Sequence, residues 1–84
     1  MKKIEYNDQK NVIGQQLKKA RVSAGVSQSQ LAAKMQTLNI NIDQQMISKI
    51  ERNQRIVTDY ELACFCMIFA MDEKALLKDF YENL

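Results

Sequence analysis

The chain has no histidine, no proline and only two glycines, Gly14 and Gly25, among its 84 residues. With no histidine, a zinc site has too few ligands. With no proline and so little glycine, the chain points to an all-helical fold. No segment alternates apolar and polar residues as a half-buried strand would. There is no Gly-rich phosphate loop, and the carboxylates form no evident acid–base pair, so an enzyme is the least supported class and no cofactor is expected. The two cysteines, Cys64 and Cys66, lie two apart in an apolar run. On a helix they point in different directions, which suits neither a disulfide nor a shared metal. Free thiols fit a reducing cytoplasm. The Lys2-Lys3 start is not followed by an apolar stretch, so no signal peptide is expected. The longest apolar run, Leu62 to Met71, is ten residues. That is too short to span a bilayer and reads as a central core helix.

What is present is one small domain's worth of chain with a lopsided charge. Residues 1–55 hold ten Lys/Arg and four Asp/Glu, a surplus of six positive charges. Residues 56–84 hold two Lys and six Asp/Glu, a surplus of four negative. A basic half is the electrostatic footprint expected of a protein that meets a polyanion. The acidic half should face away from it.

The basic half contains the most informative stretch, Asp43 to Asn53. Asp43 is a good N-cap, and Ile42 and Ile47 have the spacing of a hydrophobic staple around it. On a helix, Ile47 and Ile50 share the inner face with Met46 at its edge. Gln44, Gln45, Ser48, Lys49 and Arg52 fall on another face, rich in amide and cationic donors and free of carboxylates. Gln pairs bidentately with adenine in the major groove, and Lys reaches guanine acceptors. A solvated helix face carries the same residue types, so the face alone does not decide. Asn53-Gln54-Arg55 then leads out with donors suited to a phosphate.

Around this helix the sequence predicts four more. Residues 1–8 show no period and read as a loose arm or short lead-in. A first helix is predicted over about Gln9–Ala24, with Ile13, Leu17, Ala20 and Ala24 inward. Asn7, Asp8 and Asn11 are each candidate caps, and Gly25 ends it. A second runs over about Gln28–Met35 behind a Ser27/Gln30 capping box and a Val26/Leu31 staple. The connection Gln36–Ile42 is long for a helix-turn-helix. Either Leu38 and Ile40 tuck into the core or the second helix continues for a turn, with Asn39 and Asn41 as turn residues. A fourth helix starts at a Thr58/Glu61 capping box with a Val57/Leu62 staple. Its apolar stripe is Leu62, Phe65, Cys66 and Phe69. A fifth is capped by Asp72, with a Met71/Leu76 staple and a stripe of Leu76, Leu77, Phe80 and Tyr81.

This arrangement resembles the phage repressor and Cro-like helix-turn-helix family, the xenobiotic-response-element family of bacterial regulators. The matching residues are Ile13-Gly14, Leu17 and Arg21, then Gly25-Val26-Ser27-Gln28 with Leu31-Ala32. Ile47-Ser48-Lys49-Ile50-Glu51 follows, and then Leu62, Phe65-Cys66, Phe69 and Leu76-Leu77. The resemblance spans roughly residues 12–78 and implies a compact five-helix, lambda-repressor-like, all-α domain. It implies that Gln44, Gln45, Ser48 and Lys49 contact bases. It implies that Gln28 holds a phosphate and braces the first reading residue, that Asn53 binds phosphate, and that Arg21 and Glu51 form a structural ion pair. Two departures stand out. The turn before the third helix is about five residues longer than is usual in the family, with Asn41 where Gly is common. Gln54 replaces the Gly that usually follows Asn53.

The reading that results is a single domain, residues 1–84, that binds double-stranded DNA without doing chemistry. It is expected to be a cytoplasmic regulator, with a repressor role favoured. It would act as a homodimer on a palindromic operator whose half-sites lie about one helical turn apart. Residues 72–84 are the candidate dimer surface, although the same apolar side chains could simply close the core. No sensor domain is expected beside the DNA-binding unit, so regulation is expected through protein level, dimerisation or a protein partner. The alternative is a helical protein-interaction module, such as an antitoxin or an antagonist of another regulator.

Overall fold

In a computed structural model, which describes residues 5–84, the chain forms six helices in one layer-free bundle. They are α1 (Gly14–Ser23), α2 (Gln28–Thr37), α3 (Gln44–Glu51), α4 (Asp59–Phe69), α5 (Glu73–Leu76) and α6 (Lys78–Glu82). The expected fifth helix is thus two short ones, broken at Leu77. Leu77 keeps a bond to the Glu73 carbonyl at 3.0 Å, and its own carbonyl starts the next turn by accepting from Tyr81 at 3.1 Å. Among the described residues there is no strand, only an isolated bridge between Tyr6 and Gln9. No described helix is long and apolar enough to cross a membrane.

Local chemistry starts four of these helices. Ser27 and Thr58 each form a complete capping box, with Gln30 and Glu61 reaching back. Asp43 and Asp72 accept from the backbone N–H three residues on. The α1 start differs from expectation. The helix begins at Gly14, not near Gln9, and of the three candidate caps only Asn11 supplies an oxygen, accepting from Ile13 and Gly14 at 3.1 and 3.0 Å. Asn7 and Asp8 are instead the left-handed centre of a two-residue turn. Tyr6 and Gln9 exchange backbone bonds across it at 2.8 and 2.9 Å. Of the arm expected over residues 1–8, residues 1–4 lie outside the described residues.

The ends of α1 to α4 share one device. Gly25, Asn39, Asn53 and Ala70 all sit at positive φ, between 51° and 69°. In each case the next residue's N–H returns to a carbonyl five back, as from Ile40 to Met35 at 3.1 Å and from Gln54 to Lys49 at 2.8 Å. This is the Schellman ending. In the long turn the left-handed residue is Asn39 and not Asn41. The helix before it continues past Met35 to Thr37, and of Leu38 and Ile40 it is Ile40 that packs, half-buried, against the core, so both of the open alternatives contribute. Gln36 Nε2 donates to the Ile42 carbonyl at 3.0 Å and pins the turn.

Leu17, Leu31, Met35, Ile42, Ile47, Ile50, Phe65 and Leu76 are fully buried and form the centre of the core. Burying each of them contributes about 1.5–3 kcal/mol. Two sequence expectations need correction. Ala24 is exposed, so the inner face of α1 ends at Ala20, which is itself half-buried. The run Leu62–Met71 is a core helix on one side only. Phe65 and Cys66 are buried, but Met67 is 67% exposed and Tyr60, two turns earlier, 59%.

Candidate nucleic-acid interface

The outer face of α3 is held from beneath. Ile47, Ile50 and Glu51 are its buried residues. Gln44, Gln45, Lys49 and Arg52 stand exposed on the other side, and Ser48 is half-buried between the faces. Helix periodicity alone produces this division. Asp43 caps the N-terminal turn, accepting from the Met46 N–H at 2.8 Å. Arg52 lies back along the helix, its Nε 3.3 Å from the Ser48 carbonyl.

Beneath that face runs a polar chain. Arg21 of α1 lays its guanidinium on Glu51, Nε to Oε2 at 2.6 Å and Nη2 to Oε1 at 3.0 Å, and donates Nη1 to the Val26 carbonyl at 2.9 Å. The bond to Glu51 raises the Arg21 pKa further above neutrality, against the cost of burial. Gln28, at the first position of α2, donates Nε2 to Glu51 Oε1 at 3.0 Å. Gln44 donates Nε2 to Gln28 Oε1 at 2.6 Å. Three helices are therefore linked by charge-assisted bonds that meet on Glu51, and a neutral amide–amide bond carries the chain on to Gln44, the first residue of α3.

The exit of α3 is organised by a residue that sequence reasoning treated only as one of three caps. Asn11 is buried and donates Nδ2 to the carbonyls of Ile50 at 3.0 Å and Arg55 at 2.8 Å. Asn53 Nδ2 points inward, 3.1 Å from both the Asn11 carbonyl and Asn11 Oδ1. The Asn53 carbonyl accepts from the Lys10 N–H at 2.9 Å. Gly14 permits this approach. A Cβ there would overlap the Ile50 carbonyl oxygen and come within 2.9 Å of the Glu51 carbonyl. Arg55 is also turned to internal use, with Nη1 and Nη2 on Glu61 at 3.0 and 3.1 Å. Asn53 and Arg55 thus sit beside α3 with these donors already engaged, unlike Gln45 and Lys49. The only sequence signal for the Asn11 role was its place just before the first helix.

Among the described residues, no group of His, Cys, Asp or Glu is placed to hold a metal ion. Cys66 and Cys64 are separate free thiols. Burial pushes the Cys66 thiol up, and the charges of Glu73 and Asp72 add to it.

Two consecutive helices in contact, the second fixed by the first and presenting donors outward, define a helix-turn-helix DNA-binding domain. A family model for the helix-turn-helix matches residues 17–63, which run from α1 through α2 and α3 into α4. The match covers more than half of the chain, and the chain belongs to the Cro/C1-type helix-turn-helix family of DNA-binding regulators. No curated protein and no solved structure matches it.

Proposed function

We propose that this chain is a cytoplasmic transcriptional repressor that binds a palindromic operator as a homodimer, with α3 in the major groove. The observation that carries the reading is the outer face of α3, where amide and cationic donors are exposed and the one carboxylate of the helix, Glu51, is turned inward. Gln44, Gln45, Ser48 and Lys49 read base edges. Arg52 lies along the DNA backbone, where cations supply salt-dependent affinity, and the Asn53–Arg55 loop brings its exposed Gln54 beside it. Gln28 stands at the α2 N-terminus, where free N–H groups favour a phosphate. Repression needs only occupancy of a promoter, which a compact module of this kind provides.

The test is fluorescence anisotropy on sites selected from a random duplex library, at two salt concentrations, with Gln44→Ala and Lys49→Ala alongside. Selection should return a two-fold symmetric site. Each variant should lose preference at its own base positions, by about five- to a hundredfold for a lost bidentate contact, and keep weak non-specific binding. Absence of any enriched sequence, with weak binding even at low salt, would sink the reading.

A second reading has one observation in its favour. The exposed Tyr60 and Met67 give α4 an apolar outer face. A protein-interaction module of the antitoxin type would use such a face, and it becomes the leading reading if the DNA test fails.

A further inference from the structure

The loop that leaves α3 is short of outward charge. Asn53 turns its amide inward, with Nδ2 at 3.1 Å from two acceptors of Asn11. Arg55 spends Nη1 and Nη2 on the two oxygens of Glu61, and Nη1 also meets the Ile56 carbonyl at 3.0 Å. The Glu61 carboxylate cancels its charge. Gln54 is exposed but neutral. Arg52 alone keeps an exposed cation here, and it lies back along its own helix.

A second cation arrives from elsewhere in the chain. The segment ahead of α1 runs against this loop. The Lys10 N–H donates to the Asn53 carbonyl at 2.9 Å. The next residue, Asn11, donates to the carbonyls of Ile50 and Arg55 at 3.0 and 2.8 Å. These bonds fix the Lys10 main chain beside Asn53 and leave its side chain to other use. That side chain is exposed and, among the described residues, pairs with no carboxylate. Asp8, the nearest acid along the chain, lies in the left-handed turn at φ 64° and makes no ion pair with it. A lysine ammonium is a compact charge with three donors on a flexible stem, which suits a phosphate.

We propose that Lys10, brought from ahead of α1, holds the DNA phosphate at the exit of α3, and that Asn53 and Arg55 serve there as scaffold. The proposal rests on the DNA-reading function above. It moves a contact expected within residues 53–55 to a residue on the far side of α1 and α2 in the chain. The contact carries charge and no base information, so it sets affinity and register and not sequence preference.

The experiment uses the site selected above, in anisotropy titrations from about 50 to about 300 mM salt, with the wild type, Lys10→Ala, Lys10→Arg and Lys34→Ala. Lys34 is an exposed lysine of α2 that shares a groove with Met67 and Ile68 of α4. Lys10→Ala keeps the main-chain bond to Asn53 and removes only the charge. It should lower the slope of log affinity against log salt by about 0.9, and the affinity at about 0.1 M salt by about eightfold, with one factor on every duplex. Lys10→Arg should restore both. Lys34→Ala, equal in charge to Lys10→Ala, should leave the slope in place. Duplexes with one phosphate at a time replaced by an uncharged methylphosphonate then locate the contact. One position, or two neighbouring ones, in each half-site should cost the wild type about eightfold and cost Lys10→Ala nothing further.

An unchanged slope in Lys10→Ala overturns the proposal while DNA reading stands. So does an equal fall in Lys34→Ala, or the lack of any phosphate whose effect vanishes with Lys10. If the wild type enriches no sequence, both fall together. Thermal melts check folding, and Lys10→Gln, which keeps most of the side chain, gives the same readout should Lys10→Ala unfold.

Discussion

Glu61 shows how a single residue holds two parts of this chain. It caps its own helix through the Thr58 N–H at 2.9 Å and receives the Arg55 guanidinium on both oxygens. Burial alone would push its carboxyl up. The Arg55 bond and the Thr58 groups together outweigh that and hold it below the usual carboxylate range. The resulting stabilisation is complete above the ordinary Glu range of about 4.3 and is lost as the pH falls through the lower folded value. Glu61→Gln should therefore unfold more easily by about 2 kcal/mol at neutral pH, with the deficit shrinking toward about pH 3. Urea titrations at the two pH values measure this. The Thr58/Glu61 capping box was legible in sequence because its two residues are three apart. Arg55 was legible only as an exposed donor, because nothing local says that its guanidinium turns back to Glu61. Asn11 was hidden for the same reason. Its partners Ile50 and Arg55 lie 39 and 44 residues away.

At the scale of elements, caps and staples located the starts of α2, α3, α4 and α5. Each is a contact within a few residues, so the sequence contains the whole of it. The ends were harder. Asn39 and Asn41 were both turn candidates, and it is Asn39 that takes the left-handed position, because α2 runs two residues further than its apolar pattern. The break at Leu77 was invisible, since Leu76, Leu77, Phe80 and Tyr81 keep helical spacing across it. The outer face of α4 was misread because a helix apolar on every side has no period to reveal which side is buried. One ending is imperfect. Ala70 occupies the left-handed position at φ 51° and is exposed, so its methyl carries a conformational cost with little packing in return. Ala70→Gly should stabilise the domain by about 1 kcal/mol. A rise of about 4–8 °C in the thermal midpoint by circular dichroism would match that figure, and no rise would refute it.

For the whole molecule, the charge split becomes a matter of approach. The basic N-terminal part contains α3, and the acidic C-terminal part contains α4 to α6. A molecule with this asymmetry is turned by the field of a polyanion before it touches it. The proposed dimer uses the acidic end, where Tyr81 is 52% exposed beside Phe80 with ring centroids 5.7 Å apart. Tyr81→Asp should weaken self-association about tenfold or more, as the loss of an aromatic anchor does. Sedimentation velocity over a range of concentrations follows this, and an unchanged dimer would place the interface elsewhere.

The two-residue turn near the start of the chain bears on the same end of the molecule. Tyr6 meets Phe80 edge to face at 5.2 Å, so the first described segment and α6 come together at one corner. Asn53, at the exit of α3, lines the same cleft as these two rings. Any polypeptide fused ahead of Tyr6 or beyond α6 would emerge from that corner. It would stand beside the DNA-facing loop, where its bulk and charge would bear on binding before any contact of its own.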